Sequence, residues 1–207
     1  MRMRSSSPQR HDRRPTRSSS CLVSKKPRGR SRVSSWPPAT VRSRKQDLHD
    51  LAEMLQTIDP KSSELRVALS RYTVVRATGY VEAVRDDVAD LFVTRVALDL
   101  VSNRLRSGLR SGQGVRPQQL IDFVQSFHRD WAAELTDFLD DDSGSRNRRS
   151  DLGALVNARR KIAHGDGDTV GPTDALRWAT TAQEVGGWLI RRFDPGRDFY
   201  SRVSSSP

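Results

Sequence analysis

Residues 152–165, reading Leu-Gly-Ala-Leu-Val-Asn-Ala-Arg-Arg-Lys-Ile-Ala-His-Gly, hold the side chains of this chain best suited to chemistry. An imidazole titrates near neutral pH and can take or supply a proton, and a guanidinium can grip two phosphate oxygens at once. Arg159 and His164 together suit metal-independent cleavage of RNA, in which the ribose 2′-OH attacks its own 3′-phosphate. That reaction needs proton transfer and charge stabilisation, but no external nucleophile. Asn157, Arg160 and Lys161 would then be RNA-contacting neighbours. One histidine does not easily act as base and acid in the same step, so a second group is required. The plain alternative is that Arg-Arg-Lys followed by His complements a helix dipole, at about 0.3–1 kcal/mol per charge, with no chemistry at all.

The element that carries these residues is a helix. At 100° per residue Leu152, Leu155, Val156, Ile162 and Ala163 share one apolar stripe, Asn157, Arg160 and His164 share a flank, and Gly165 stands at C′. Arg159 falls in the middle of the stripe, where it must snorkel or find an acidic or phosphate partner. Glu82, beside the apolar stripe of an earlier helix, is the acid best placed for it; the alternative is an ordinary surface glutamate.

The pattern Val-x-x-Arg-x-x-Ile-Ala-His-Gly, with four residues between Arg159 and His164, resembles the R-x4-6-H signature of the HEPN superfamily. Gly79-Tyr80-Val81-Glu82 and Phe127-His128-Arg129-Asp130-Trp131 resemble its RiboL-PSP branch, and the similarity covers residues 46–194. The resemblance implies an all-helical domain, catalytic roles for Arg159 and His164, and Glu82 as the acid facing Arg159. It implies an active site completed by a homodimer through the faces around the motif helix. A toxin–antitoxin or phage-defence setting is implied too, with an antitoxin or defence protein as partner. Arg160 departs from the family, which most often has asparagine after the motif arginine. Family toxins modified by a nucleotidyltransferase carry a tyrosine shortly after the histidine, whereas here Gly165-Asp166-Gly167 follows, which speaks against that control. A non-catalytic HEPN module that binds RNA or a partner protein is the alternative reading.

Charge is divided unevenly along the 207 residues. Up to Lys45 there are fourteen Lys and Arg against Asp12 alone, a net +13, while the rest of the chain is close to neutral, so the total of +11 belongs to the front. Residues 1–44 combine Ser/Arg clusters with five prolines and no hydrophobic period, which predicts disorder. This tail reads either as a polycationic arm that gathers RNA phosphates or as a solvated or upstream-misassigned extension. One cysteine, Cys21, excludes an intrachain disulfide and fits a reducing compartment. No apolar run is long enough for a signal core or a membrane span, and a cytoplasmic protein is expected.

Helical periods account for the remainder. Leu48, Leu51, Leu55 and Ile58 define a helix over 46–58; Ser62 or Ser63 caps a long one through Leu65, Leu69, Tyr72, Val75, Gly79 and Ala83 toward Leu105. Gly79 is read as the point of close helix approach. Residues 107–117 form a loop. Leu120, Phe123, Phe127, Trp131, Leu135 and Leu139 form one strongly apolar helical face. Thr173 caps a last helix through Leu176, Trp188 and Phe193. No strand pattern occurs, so the fold class is all-α, a HEPN-like bundle of four to five helices. The domain plan is a basic tail (1–45), a helical domain (46–194) and a C-terminal tail (195–207). There is no phosphate loop, nucleophile elbow or metal-binding helix, the four histidines lack ligand spacing, and Asp140-Asp141-Asp142 reads as a solvated loop. No cofactor or metal is expected; RNA and a second copy are the expected partners.

Overall fold

A computed structural model describes residues 36–96, 114–141, 147–165 and 170–194. Six helices and no strand occur among them: α1 (Ala39–Thr57), α2 (Ser63–Val96), α3 (Pro117–Gln125), α4 (Arg129–Asp140), α5 (Arg148–His164) and α6 (Pro172–Arg192). The fold is all-α, as the periodicity predicts. The C-terminal tail, residues 1–35 and most of the 107–117 loop lie outside the described residues.

The bundle is built on α2 and α6, which pack along each other and both touch α1 and α5; α3 and α4 pair and also contact α5. α2 occupies the middle because its central turns, from Thr73 to Val84, are mostly apolar or small. Val74, Ala77, Tyr80, Val81, Val84 and Val88 are buried. The hydroxyls of Ser70, Thr73 and Thr78 return to carbonyls four residues back at 2.7, 2.8 and 3.0 Å, which satisfies these three, while the Tyr80 hydroxyl is buried without a hydrogen-bond partner among the described residues. The earlier turns differ from the expected face: Leu65, Tyr72 and Val75 are exposed, at 56, 53 and 38%. The core-facing register of α2 runs through Val74 and Val81 instead.

The close helix approach is also elsewhere than expected. A Cβ on Gly79 would meet nothing within 4 Å, whereas one on Gly186 of α6 would lie 2.5 Å from Cε1 of Tyr80. Gly186 lets α6 sit against the flat of that ring, and the resulting burial pushes the phenol up to about 12.

Three boundaries are corrected. α1 starts at Ala39, seven residues before the expected Gln46, because Val41 is fully buried and Pro38 stands at the N-cap, where a proline does no harm. Trp36 Nε1 donates to the Ile190 carbonyl at 3.1 Å, tying this start to α6. The single helical face expected over 120–139 is two helices. His128, in extended backbone with φ −159°, ends the first and caps the second, its Nδ1 accepting from the Asp130 amide at 3.2 Å. The last helix begins at Pro172 with Gly171 as N-cap, so Thr173 lies inside the first turn. Phe92, Phe127, Trp131 and Phe193 meet edge to face with centroids 5.0–5.9 Å apart, joining α2, α4 and the end of α6.

Candidate functional site

α5 is held from its first turn. Asn147 accepts from the Ser150 amide at 2.8 Å, capping the helix. Arg148 reaches Glu184 of α6 at 2.8 Å, donates to the carbonyls of Phe138 and Asp141, and lies 4.7 Å over the Phe138 ring. Arg149 grips both oxygens of Asp140, and this hydrogen bond, reinforced by charge, holds the Asp140 carboxyl below its ordinary value. Asp151 is buried and takes Arg177 at 2.9 Å and the Thr181 hydroxyl at 3.3 Å. Asp140 and Asp141 are thus anchors for the start of α5. Among the described residues no acidic, histidine or cysteine cluster could hold a metal ion.

The other end of the helix is different. Burial along the stripe runs through Asp151, Leu152, Leu155 and Ala158 and then stops. Ile162 is half-buried; Arg159, Arg160, Ala163 and His164 are exposed. Arg159 keeps the stripe's direction but emerges past the packed part of the bundle, so it needs no internal acid. The expected Glu82–Arg159 pair is not formed. Glu82 is half-buried on α2, and no ion pair joins them. Among the described residues Arg159, Arg160 and His164 have no side-chain hydrogen bond or ion pair. Gly165, at φ 76°, closes the helix in the left-handed conformation expected of it, its amide donating to Ile162 O.

Helix geometry separates the cations into two groups. Five residues at 100° put Arg159 and His164 about 140° apart around the axis and about 7.5 Å apart along it. Arg160 and His164, one turn apart, are surface neighbours, and Asn157 lies on the same flank. Across from Asn157 stands a residue that the sequence reading left in a loop. Arg116, the N-cap residue of α3, points its guanidinium at the Asn157 side-chain oxygen, 3.3 Å away. Forty-one residues separate the two, so only the α3–α5 packing reveals the contact; the visible signal was Arg116-Pro117 opening an apolar period.

The exposed end of α5 therefore offers one imidazole and several guanidinium groups in water, and the one acid on the helix itself, Asp151, lies at the opposite end. Guanidinium groups are suited to gripping anions and an imidazole to proton transfer. A model of the RiboL-PSP-HEPN family matches residues 40–186, a span that contains α1 to α5 and most of α6. No curated protein and no solved structure matches the chain.

Proposed function

The chain belongs to the RiboL-PSP-HEPN family, and from that premise we propose that it is a metal-independent endoribonuclease acting on single-stranded RNA. The observation that carries the reading is the cationic end of α5, where Arg159, Arg160 and His164 are exposed and unpaired among the described residues. His164 takes the proton of the 2′-OH or supplies one to the leaving 5′-oxygen, and guanidinium groups neutralise the phosphorane as charge redistributes. Asn157 and Lys161 lie on the same helix as RNA-contacting neighbours.

A second copy supplies the second proton-transfer group. Among the described residues the large apolar side chains left exposed are Leu65, Val67, Tyr72 and Val75 of α2 and Met54 of α1, none of them on the motif helix. The association therefore draws on α2 as well as on the faces around α5. A toxin–antitoxin or phage-defence role, with a partner protein holding the enzyme in check, belongs to the same proposal.

The experiment is end-group analysis of single-stranded RNA incubated with the full chain. Fragments ending in a 2′,3′-cyclic phosphate or 3′-phosphate, with DNA of the same sequence intact, are expected. Fragments with 3′-hydroxyl ends, or cut DNA, would contradict the mechanism. The angle of about 140° between Arg159 and His164 favours a second reading, a non-catalytic module that binds RNA or a protein. RNA binding without cleavage by the dimer would favour it.

A further inference from the structure

We infer that Arg116, on the loop before α3, is a phosphate-binding residue for the same RNA strand that reaches His164, an assignment that rests on the ribonuclease reading of the α5 surface. The base of this side chain is firmly held. Arg85, itself 6% exposed on α2, donates to the Gly114 carbonyl at 3.0 Å; Val115 is buried at 1%; and the Arg116 amide donates to Gln119 Oε1 at 3.2 Å. Backbone on both sides is thus fixed, while the guanidinium is exposed and donates to one neutral oxygen, that of Asn157. A long cation rooted in this way loses little freedom on meeting an anion.

Its position gives the ligand. Asn157, Arg160 and His164 follow one flank of α5 over about 10 Å of rise, and Arg116 meets that flank at Asn157. No ion pair joins Arg116, Arg160 or His164 to an acid among the described residues. A line of cations with imidazole at one end and a fork donor at the other fits a strand with repeated phosphates. Asn157 orients Arg116 and offers a neutral amide to the sugar or base between the two phosphates.

The test uses the full-length chain carrying His164→Ala, so that RNA is not consumed, and a labelled single-stranded RNA oligonucleotide titrated across a salt series. Each phosphate contact on a single strand contributes a slope of about 0.7 in log K against log salt. Arg116→Ala should lower the slope by about that amount and weaken binding; Arg116→Lys should keep most of the slope. Asn157→Ala frees the guanidinium without removing its charge and should leave the slope unchanged. Equal loss of thermal stability in Arg116→Ala and Asn157→Ala, with the slope unaltered in both, would make Arg116 a clip between α3 and α5 and overturn the inference. Competition by poly-glutamate as effective as by RNA, equally weakened by Arg116→Ala, would overturn RNA as the ligand. RNA bound by the parent chain and unaffected by Arg116→Ala refutes this inference alone. A parent chain with no RNA affinity removes the ribonuclease reading together with it.

Discussion

The two halves of α5 use the same kinds of side chain to opposite ends. In the first half Arg148, Arg149 and Asp151 are each matched by a partner on a neighbouring segment, and Leu152 and Leu155 are fully buried. In the second half Arg159, Arg160 and His164 face water without such partners among the described residues. Unmatched cations near a helix C-terminus add about 0.3–1 kcal/mol each through the dipole, so the fold draws more on the buried and paired first half than on the second. The helix is fastened at one end and presents charge outside the bundle at the other.

The contrast is most easily broken in the fastened half. Leu155→Ala, at a fully buried position, should cost about 2–5 kcal/mol, read as a lowered denaturation midpoint in urea. Asp151→Ala should cost about 1–3 kcal/mol by leaving Thr181 and Arg177 without their buried acceptor. In the exposed half Arg159→Ala and Arg160→Ala should each change stability by no more than about 0.5 kcal/mol while impairing RNA cleavage, and a large loss of stability in either would remove the distinction between the halves.

Acid sharpens the comparison further. The Asp140 carboxyl is held below its ordinary value chiefly by its hydrogen bond to Arg149. Its contribution is present above the unfolded-state value near 3.8 and is lost as pH falls through the lower folded value. Thermal melts should therefore separate wild type from Asp140→Asn at pH 5 and bring them together in strong acid. At the alkaline end Tyr80 works in the reverse sense. Its phenol stays neutral up to about 12 in the fold but ionises near 10 when unfolded, so stability should fall as pH rises from 10 toward 12, an effect absent in Tyr80→Phe.

Much of this was legible in the sequence where a local rule governs. Gly165 was readable as the end of α5 because only a left-handed residue closes a helix that way. The apolar period of α1 named Leu48, Leu51 and Leu55, all of its buried residues but Val41, whereas that of α5 named only Leu152 and Leu155 of its buried residues. What escaped depended on neighbours. The stripe of α5 gave Arg159 its direction but not the point where the bundle stops covering it. The α3–α4 break has no Gly or Pro at Ser126, Phe127 or His128, and its cap is a histidine side chain, which no common capping pattern anticipates. Gly79 looked like a contact and Gly186 did not, because the ring that decides it, Tyr80, lies on another helix. Arg116 could be joined to the site only through the packing of α3 on α5.

The central claim is that the exposed half of α5 is catalytic. It is tested most directly by incubating labelled single-stranded RNA with wild type and with His164→Ala in excess EDTA. The account predicts cleavage by wild type and a loss of about 10²- to 10⁴-fold in rate for the variant, the usual contribution of a proton-transfer group. Equal cleavage by both proteins, or cleavage by wild type only after Mg²⁺ is restored, would contradict it.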